Sequence, residues 1–454
     1  MTSTWWMPIS FAVVLATACG GSADLLSPPL IARINNELDT LVGDPARPLS
    51  SLSVLAIRGG NVVYEGQFGQ RSVEQNLPAN PQTLYRIASV SKLVASIGFM
   101  KLVETGAIDL DADISDYLGF GVRNPNAPGE VITSRMLLSH TASVRDASDL
   151  IITQVGVTLA TALATVDPAT GAAAFWAGSA EQAPGRGYFT YANYNTIILA
   201  TIMERVSKQR FDLYMKAAVL DPLGINGGFV PSVNLPRTDD INLATLYRKS
   251  PDGGTTWSTA GAWFAQGADR TGTEPVPIAN LADYVIGSNA GVFGPQGNLR
   301  ITVGGLGIIM QMLMNQGHLN GTTVLRPSTV ALMMKPQWVY NEQPAAPNGD
   351  TYYDLFYAWG LGMQIFTDRG GSQASGDRVG SAAGGFKGVG HLGEAYGLLS
   401  GFVFDPLTKN GMVYLIGGLG ADPNANLGDY SAFFYWEENI LRVLYQRAIL
   451  QTGS

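Results

Sequence analysis

Strand patterns lie near both ends of this 454-residue chain, and helix patterns fill much of the region between them. Residues 52–58 and 61–68 flank Gly59-Gly60, which is the pattern of a β-hairpin. Later strands are predicted at 359–366, 386–392, 398–405 and 411–417. The arrangement predicts one sheet built from both ends of the chain, with a mostly helical insertion between its two parts.

Apolar residues at helical spacing predict the elements around this sheet. Helices are expected at 27–43, from Ser89 to Gly106, across much of 131–229, at 303–316 and at about 430–450. For the Ser89 helix, one buried stripe is expected from Leu93, Val94, Ile97, Met100 and Val103. Residues 231–300 are rich in Gly, Thr, Asn and Pro, so we expect a long irregular excursion there, either over a site or as a surface insertion without function.

The composition fits a well-buried globular protein, with an apolar fraction of 46% and a charged fraction of 14%. The net charge is −8 and no basic patch stands out, so nucleic acid is not an expected partner. The histidines, His140, His318 and His391, and the single cysteine show no metal-ligand spacing. We therefore predict neither a metal nor another cofactor.

Residues 1–18 have the pattern of a secretion signal, an apolar run too short to cross a bilayer comfortably that ends in Ala16-Thr17-Ala18. Cys19 follows this cleavage-like site and matches the acylated position of a bacterial lipoprotein, although the run before it has no Lys or Arg. We predict an exported protein that is periplasmic, secreted or tethered to the membrane through lipidated Cys19. The alternative is a buried apolar N-terminal helix.

A serine and a lysine lie three residues apart at the start of a predicted helix, in Ser89-Val90-Ser91-Lys92. Residues i and i+3 share one helix face, so the Ser89 and Lys92 side chains can meet. A serine hydroxyl becomes a good nucleophile when a base takes its proton. Lysine can be that base when burial or a nearby positive charge lowers its pKa. The alternative is an N-capping serine followed by a solvated lysine, which is the usual meaning of a lone S-x-x-K.

A second stretch, Tyr191-Ala192-Asn193, could supply the proton relay. A lysine ammonium nearby favours the phenolate of a tyrosine, so Tyr191 could act as a base. Asn193 could bind both Lys92 and a substrate carbonyl. The alternative is that the aromatic run around Tyr191 only packs in the core.

A third stretch, His391-Leu392-Gly393-Glu394, lies on a glycine-rich strand. Gly393 would let a substrate approach the backbone closely, and the N–H groups of Ser89 and Glu394 could then hold an oxyanion. The alternative for His391 is a structural histidine with its hydrogen bonds satisfied.

In this order the three motifs resemble the class C β-lactamase and penicillin-binding-protein-like serine hydrolase family, which includes D,D-carboxypeptidases, D-aminopeptidases and family VIII carboxylesterases. Further segments that match the family are Leu84–Lys92, Lys101–Gly106, Leu137–Thr141, Phe189–Asn193, Asp221–Gly224 and Gly304–Leu306. The resemblance covers roughly residues 50–450. It implies an α/β (α+β) serine β-lactamase-like fold, in which an antiparallel sheet is flanked by N- and C-terminal helices and joined to a mostly helical lobe.

The resemblance also implies a domain organisation. We expect residues 25–454 to form a single catalytic domain after the signal peptide. Its α/β part would comprise 25–85 and 305–454, and its mainly helical lobe, with the insertion, would comprise 86–304. The site is expected between the two parts.

The chemistry that the resemblance implies is hydrolysis through an acyl-serine. Ser89 would attack an ester or amide carbonyl, Lys92 and Tyr191 would share the role of base, and Tyr191 would pass a proton to the leaving group. Asn193 would orient Lys92 and the acyl chain. His391 and Gly393 would shape the strand edge. The N–H groups of Ser89 and Glu394 would form the oxyanion hole.

The third motif departs from the family, because His391-Leu392-Gly393 stands where β-lactamases carry Lys-Thr-Gly. Leu392 donates no side-chain hydrogen bond and His391 is only partly charged at neutral pH, so we expect a substrate carboxylate to bind weakly. We predict a carboxylesterase or amidase acting on small neutral substrates. The alternatives are a β-lactamase or D-amino-acid-specific peptidase acting on β-lactams or peptidoglycan peptides, and a non-catalytic penicillin-binding-like wall protein. The oligomeric state is left open.

Overall fold

A computed structural model describes residues 25–147, 153–266, 270–271, 274–343, 345–371 and 375–452. The predicted signal peptide and Cys19 lie outside these residues. Among the residues described, no helix has both the length and the apolar character needed to cross a membrane.

An antiparallel sheet that has nine strands in the described part of the chain lies at the centre of the fold. The strands are Ser51–Arg58 (β1), Asn61–Ser72 (β2), Leu77–Pro78 (β3), Trp338–Val339 (β4), Ala358–Trp359 (β5), Gln364–Phe366 (β6), Gly388–Ala395 (β7), Leu398–Asp405 (β8) and Asn410–Ile416 (β9). Their order across the sheet is β4-β5-β6-β7-β8-β9-β1-β2-β3. Because β1 pairs with β9, with Leu52 opposite Ile416, the two ends of the chain meet in one sheet as expected.

Helices cover both faces of this sheet. They are Pro28–Val42 (α1), Val90–Glu104 (α2), Ile114–Leu118 (α3), Ser134–Leu138 (α4), Leu159–Leu163 (α5), Asn193–Ser207 (α6), Phe211–Met215 (α7), Pro231–Asn234 (α8), Val303–Met314 (α9), Pro327–Met334 (α10) and Tyr435–Val443 (α11). The π-helical turns Lys216–Leu220 and Leu444–Ile449 continue α7 and α11. The short 3-10 helices are Ala180–Gln182, Asp221–Leu223, Arg237–Asn242, Leu281–Asp283, Ala290–Phe293 and Pro423–Ala425.

Short strands outside the large sheet connect the helices. They are Tyr85–Arg86, Gly227–Gly228, Leu246–Arg248, Phe264–Gln266, Arg270–Thr271, Glu274–Pro275, Arg300–Ile301, His318–Leu319, Thr322–Thr323 and Gly418–Leu419. Four of these and several of the 3-10 turns lie within 231–300, which is largely irregular, as its composition predicts.

Alternating side chains on β1 give the sheet an apolar core on each face, because successive residues of a strand point to opposite sides. Leu55 and Ile57 belong to the core that includes α2, α6 and α9. Val54 and Ala56 belong to the second core, formed with α1 and α11. The predicted division into an α/β part and a helical lobe at 85/86 and 304/305 stays a prediction.

Helix α2 differs from the sequence-based expectation of one buried stripe. Every residue from Val90 to Met100 is buried, and only the last turn reaches the surface. The reason is position, since α2 packs against both α6 and the sheet. A helix that is apolar all round is buried all round.

Two other helix predictions are too long. Within 131–229 the helices α4 and α5 have one turn each, and 164–192 is mostly irregular. One reason is a turn that contains Pro168. In this turn the Asp167 carboxylate accepts hydrogen bonds from Ala169 N and Thr170 N. The final helix begins at Tyr435 rather than 430, because the preceding residues fold back onto the Glu438 carboxylate.

Candidate active site

Ser89 stands at the N-terminal end of α2, directly after a strained residue. Ala88 has a φ of 42°, in the left-handed region that residues with a Cβ rarely occupy. The Ser89 side chain caps no backbone N–H of α2. Its Oγ instead accepts a hydrogen bond from Lys92 Nζ at 2.9 Å. The interpretation of Ser89 as an N-cap is therefore wrong.

Lys92 is buried, with 3% of its surface exposed, so the interpretation as a solvated lysine is also wrong. Besides Ser89 Oγ, its Nζ donates to Asn193 Oδ1 at 2.7 Å and to the backbone oxygen of Gln296 at 2.9 Å. Burial lowers the pKa of Lys92 to about 7, and the nearby Asp146 carboxylate opposes that shift.

The three partners of Lys92 differ in what they can do when the lysine is neutral. Gln296 offers a carbonyl, and the Asn193 amide is oriented by its Nδ2, which donates to Asp146 Oδ2 at 2.8 Å. Both groups only accept, so they retain the two N–H bonds of a neutral amine. The lone pair of Lys92 is then left facing the Ser89 hydroxyl, the one partner able to donate.

Asp146 fixes the first turn of α6, where Asn193 is the first residue. Its carboxylate accepts hydrogen bonds from the backbone N–H groups of Asn193 at 2.8 Å and Tyr194 at 3.1 Å. An acidic side chain at a helix N-terminus satisfies unpaired N–H groups and suits the helix dipole. No sequence motif pointed to Asp146, yet it holds the asparagine that holds Lys92.

Tyr191 lies beside this pair, with Lys92 Nζ 5.0 Å from its ring centre. Its hydroxyl is buried and makes no hydrogen bond to any described residue. Burial raises the pKa of Tyr191 above its ordinary value, and the close Ser89 hydroxyl only partly opposes this. The expectation of a favoured phenolate is therefore wrong, because desolvation by burial dominates the shift.

His140, from the Leu137–Thr141 segment, supports Tyr191 from behind. The two rings stack at 4.6 Å. His140 Nδ1 accepts a hydrogen bond from Ala192 N at 3.1 Å and lies 2.9 Å from Asn195 Nδ2. Burial lowers the pKa of His140 well below its ordinary value, so the ring is neutral. Sequence analysis assigned no role to His140.

Gly393 brings the backbone of β7 against the start of α2. A Cβ at this position would lie 2.5 Å from Ser400 Oγ, 2.7 Å from Ile87 O and 2.9 Å from Ser89 N. Only glycine fits so close an approach. The next N–H along β7 is that of Glu394, and its part in an oxyanion hole with Ser89 N stays a prediction.

His391 is a neutral side chain in the wall of the site. Its Nδ1 lies 2.5 Å from the carbonyl oxygen of Leu392, so Nδ1 carries the proton and donates it. Nε2 is buried and has no partner among the described residues. Burial and the nearby Lys92 lower the pKa of His391 to about 3. The partial positive charge expected from the sequence is therefore absent at neutral pH.

These residues face a cavity of about 630 Å³. Its lining includes six predicted residues, namely Ser89, Tyr191, Asn193, His391, Gly393 and Glu394, while Lys92 lies behind Ser89. The rest of the lining comprises Tyr352, Tyr353, Leu355, Phe356, Gln364, Leu392, Leu399, Asn424, Leu427, Ala432, Phe434 and Glu437.

The cavity passes around the open edge of β7. Strand β6 pairs with β7 only as far as Gly390, which leaves 391–395 unpaired on that side in the described chain. By strand alternation His391 and Gly393 point toward Ser89. Leu392 and Glu394 point to the opposite face of the sheet, where α11 lies.

We use the name far wall for Gln364, Glu394 and Glu437, three of the polar residues that line the cavity. Glu437 lies in the first turn of α11, and its carboxylate accepts hydrogen bonds from Tyr414 OH at 2.6 Å and from Phe434 N at 3.0 Å. Burial raises the pKa of Glu437 to about 7. Glu394 is exposed at the mouth, where desolvation raises its pKa and Arg248 opposes the shift.

Comparison with known proteins identifies the family of this chain. The sequence model of the Beta-lactamase family matches residues 38–434. The chain belongs to the Beta-lactamase family. The family and the fold class expected from the motifs are confirmed.

Individual relatives of this Beta-lactamase-family protein are distant. Protein flp of Staphylococcus aureus (strain N315) is 28% identical over 171 residues, which are 38% of this chain and 33% of that protein. The chain thus spans about a third of that relative's length. An octameric penicillin-binding protein homologue from Pyrococcus abyssi has 21% identity and a TM-score of 0.62, with 93% of this chain and 77% of that chain covered. D-amino acid amidase from Ochrobactrum anthropi SV3, complexed with L-phenylalanine, has 18% identity and a TM-score of 0.62, with coverages of 93% and 99%. These structures share the fold.

Sequence analysis of this Beta-lactamase-family protein missed two walls of the cavity. They come from 352–356 and from the stretch between Asn424 and Glu437. The only signal in the first was a cluster of aromatic residues. The excursion 231–300 was considered as a cover, but none of its described residues lines the cavity. It reaches the site through the Gln296 carbonyl. Among the described residues, no three His, Cys, Asp or Glu side chains are grouped to hold a metal ion.

Proposed function

We propose that this protein hydrolyses esters or amides through an acyl-enzyme on Ser89. The observation that carries the proposal is the hydrogen bonding of Lys92, whose other two partners only accept and so direct its lone pair at the Ser89 hydroxyl. With a pKa of about 7, Lys92 is substantially neutral at physiological pH. It can therefore be the base without help from Tyr191.

Acylation follows from this arrangement. Neutral Lys92 takes the proton as Ser89 Oγ bonds to the carbonyl carbon, and the N–H groups of Ser89 and Glu394 hold the oxygen that becomes negative. When the C–O or C–N bond breaks, Tyr191 gives its phenol proton to the leaving atom and Lys92 returns a proton to Tyr191. Burial keeps the phenol of Tyr191 protonated, so Tyr191 holds the proton that this role requires.

Deacylation uses the same groups in reverse. Water attacks the acyl carbonyl and gives its proton to Lys92. As the acid leaves, Ser89 Oγ takes that proton back, which restores the starting state. Every proton is accounted for, so the cycle needs no cofactor.

The charges around the site favour substrates without a carboxylate. His391 is neutral, Leu392 cannot donate, and Glu394 stands at the mouth of the cavity. We therefore place esterase or amidase activity ahead of β-lactam or peptidoglycan hydrolysis. The fold shared with a D-amino acid amidase supports the amide half of this proposal. From the sequence alone we also propose that the protein is exported.

The test compares 4-nitrophenyl acetate with nitrocefin as substrates of the wild type, Ser89→Ala and Ser91→Ala. We expect the acetate to be the better substrate, and Ser89→Ala to lose its turnover. Ser91→Ala, a buried serine two residues along α2, serves as the matched control. Mass spectrometry after fluorophosphonate treatment should place the adduct on Ser89. Ester hydrolysis that is unchanged in Ser89→Ala would refute the mechanism.

A further inference from the structure

The far wall contains a buried hydrogen-bond acceptor without a partner. Gln364 is 1% exposed and lines the cavity. Its Nε2 donates to Leu355 O at 2.9 Å, which fixes the orientation of the amide. Its Oε1 has no partner among the described residues. Buried polar atoms are nearly always paired, so this oxygen indicates a donor that arrives from outside.

The other two polar groups of the far wall also accept. Glu394 and Glu437 carry carboxylates that face the same cavity, and they are close enough for Glu394 to act on Glu437. Arg248 is the basic group that offsets Glu394, but no lysine or arginine is among the described residues that line the cavity. The amino group of buried Lys92 is engaged at the Ser89 end.

We propose that the far wall binds an ammonium group carried by the substrate, with Gln364 Oε1 as a direct acceptor and the Glu394 and Glu437 carboxylates supplying the charge. The proposal rests on the proposed function and narrows its substrates to esters or amides with a protonated amine away from the reacting carbonyl. An ammonium provides three donors and a positive charge. A neutral end group lacks the charge, and a carboxylate brings repulsion and no donor.

The apolar part of the lining suits an alkyl chain. Leu355, Leu399 and Phe434 line the same cavity as the far wall. Apolar walls with a few placed polar groups are the usual make-up of a small-molecule site. A substrate that combines an alkyl chain with a cationic end therefore matches the lining of this cavity.

The test measures binding without turnover, using the Ser89→Ala protein and isothermal titration calorimetry. The probes are hexylammonium, hexanol and hexanoate at about pH 8, where an alkylammonium stays charged. We expect Kd for hexylammonium to be at least about tenfold lower than for hexanol, with hexanoate the weakest. Equal Kd values for hexylammonium and hexanol would overturn the proposal.

Two variants locate the effect, Gln364→Leu and Glu394→Gln, each made in the Ser89→Ala protein. Each should reduce the ratio of the hexanol Kd to the hexylammonium Kd by at least about threefold. Glu342→Gln makes the same charge change at an exposed position outside the cavity, and should leave the ratio as it was. A ratio that survives both far-wall variants refutes the site. Because Glu394 is exposed, its variant remains informative if Gln364→Leu does not fold.

The readouts separate this proposal from the one it rests on. Loss of 4-nitrophenyl acetate hydrolysis in Ser89→Ala supports the hydrolase, whatever the probes do. Ammonium-selective binding supports the far wall, whatever the turnover. Hydrolysis without selective binding would therefore reject the far wall and leave the hydrolase standing.

Discussion

At each end of the cavity burial moves the pKa of one ionisable side chain to about 7, and the two shifts have opposite directions. Lys92 comes down from 10.5 and Glu437 comes up from 4.5. At the Ser89 end the lysine nitrogen has a partner for each proton. At the far end Gln364 Oε1 has no partner among the described residues. The comparison indicates that the hydrogen bonds of Lys92 are complete within the protein, whereas those of Gln364 are completed by a ligand.

The largest expected effect is at the Ser89 end. Lys92→Ala should lower kcat/KM for 4-nitrophenyl acetate by about 10² to 10⁴, the range for loss of a general base. Lys101→Ala, near the other end of α2 and outside the cavity, is the matched control and should stay close to wild type. A near-normal rate in Lys92→Ala would show that Lys92 is not the general base. The Ser89 end would then not differ from the far end in proton transfer.

The next effect concerns Glu437 at the far end and is measured as a change in the free energy of unfolding. Glu437 has a folded-state pKa of about 7, above its ordinary value of 4.5, so the folded protein holds this proton more tightly than the unfolded chain. Its stabilising contribution is therefore complete below pH 4.5 and is lost as the pH rises through about 7. At about 1.4 kcal/mol per pKa unit, the loss is about 3 kcal/mol.

Urea unfolding of the wild type and Glu437→Gln across this pH range measures that loss. The free energy of unfolding of the wild type should fall by about 3 kcal/mol relative to the variant between the two pKa values. The amide of Glu437→Gln would also disturb the hydrogen bond from Phe434 N. This effect is the same at every pH, so it cancels when the pH dependence of unfolding free energy is compared instead of its absolute value. Parallel pH curves would show that burial does not hold the proton on Glu437.

A third prediction separates the two groups that titrate near pH 7. Because only neutral Lys92 accepts the Ser89 proton, kcat/KM should rise about tenfold per pH unit below pH 7 and level off above it. His391, with a pKa of about 3, and Tyr191, with a raised pKa, do not titrate in this range. Glu437→Gln should keep the rising limb. If that variant loses it, the limb belongs to the far end instead.

The same comparison shows what the sequence could predict. Ser89 and Lys92 are three residues apart, and helix geometry alone brings them together. Gln364 and Glu437 come from a strand and a helix distant in the chain, and no spacing relates them. The phenolate prediction for Tyr191 failed for a related reason, since burial depends on the whole fold and not on a neighbouring lysine. Local motifs therefore specified the Ser89 end of the cavity, and of the far wall they indicated only Glu394.

Another missed wall has unusual backbone, which propensities would not predict. Tyr352, Tyr353 and Asp354 are consecutive and have φ values of 49°, 59° and 64°. Such left-handed runs of residues with a Cβ persist only where surrounding contacts hold them. Here the Asp354 carboxylate accepts hydrogen bonds from Thr351 Oγ1 and Ser375 Oγ. The contact with Ser375 joins parts of the chain that no sequence pattern connects.

The smallest expected effect tests how this wall acts on the Ser89 end. Tyr352 OH donates a hydrogen bond to the backbone oxygen of Tyr191 at 2.9 Å, so it positions the proton relay. Tyr352→Phe should lower kcat for 4-nitrophenyl acetate about fivefold, the equivalent of one hydrogen bond of about 1 kcal/mol, with little change in KM. Tyr340→Phe, outside the cavity, should match the wild type. A change confined to KM would mean that Tyr352 only contacts the substrate. The hydrogen bond to Tyr191 would then play no part in positioning the proton relay.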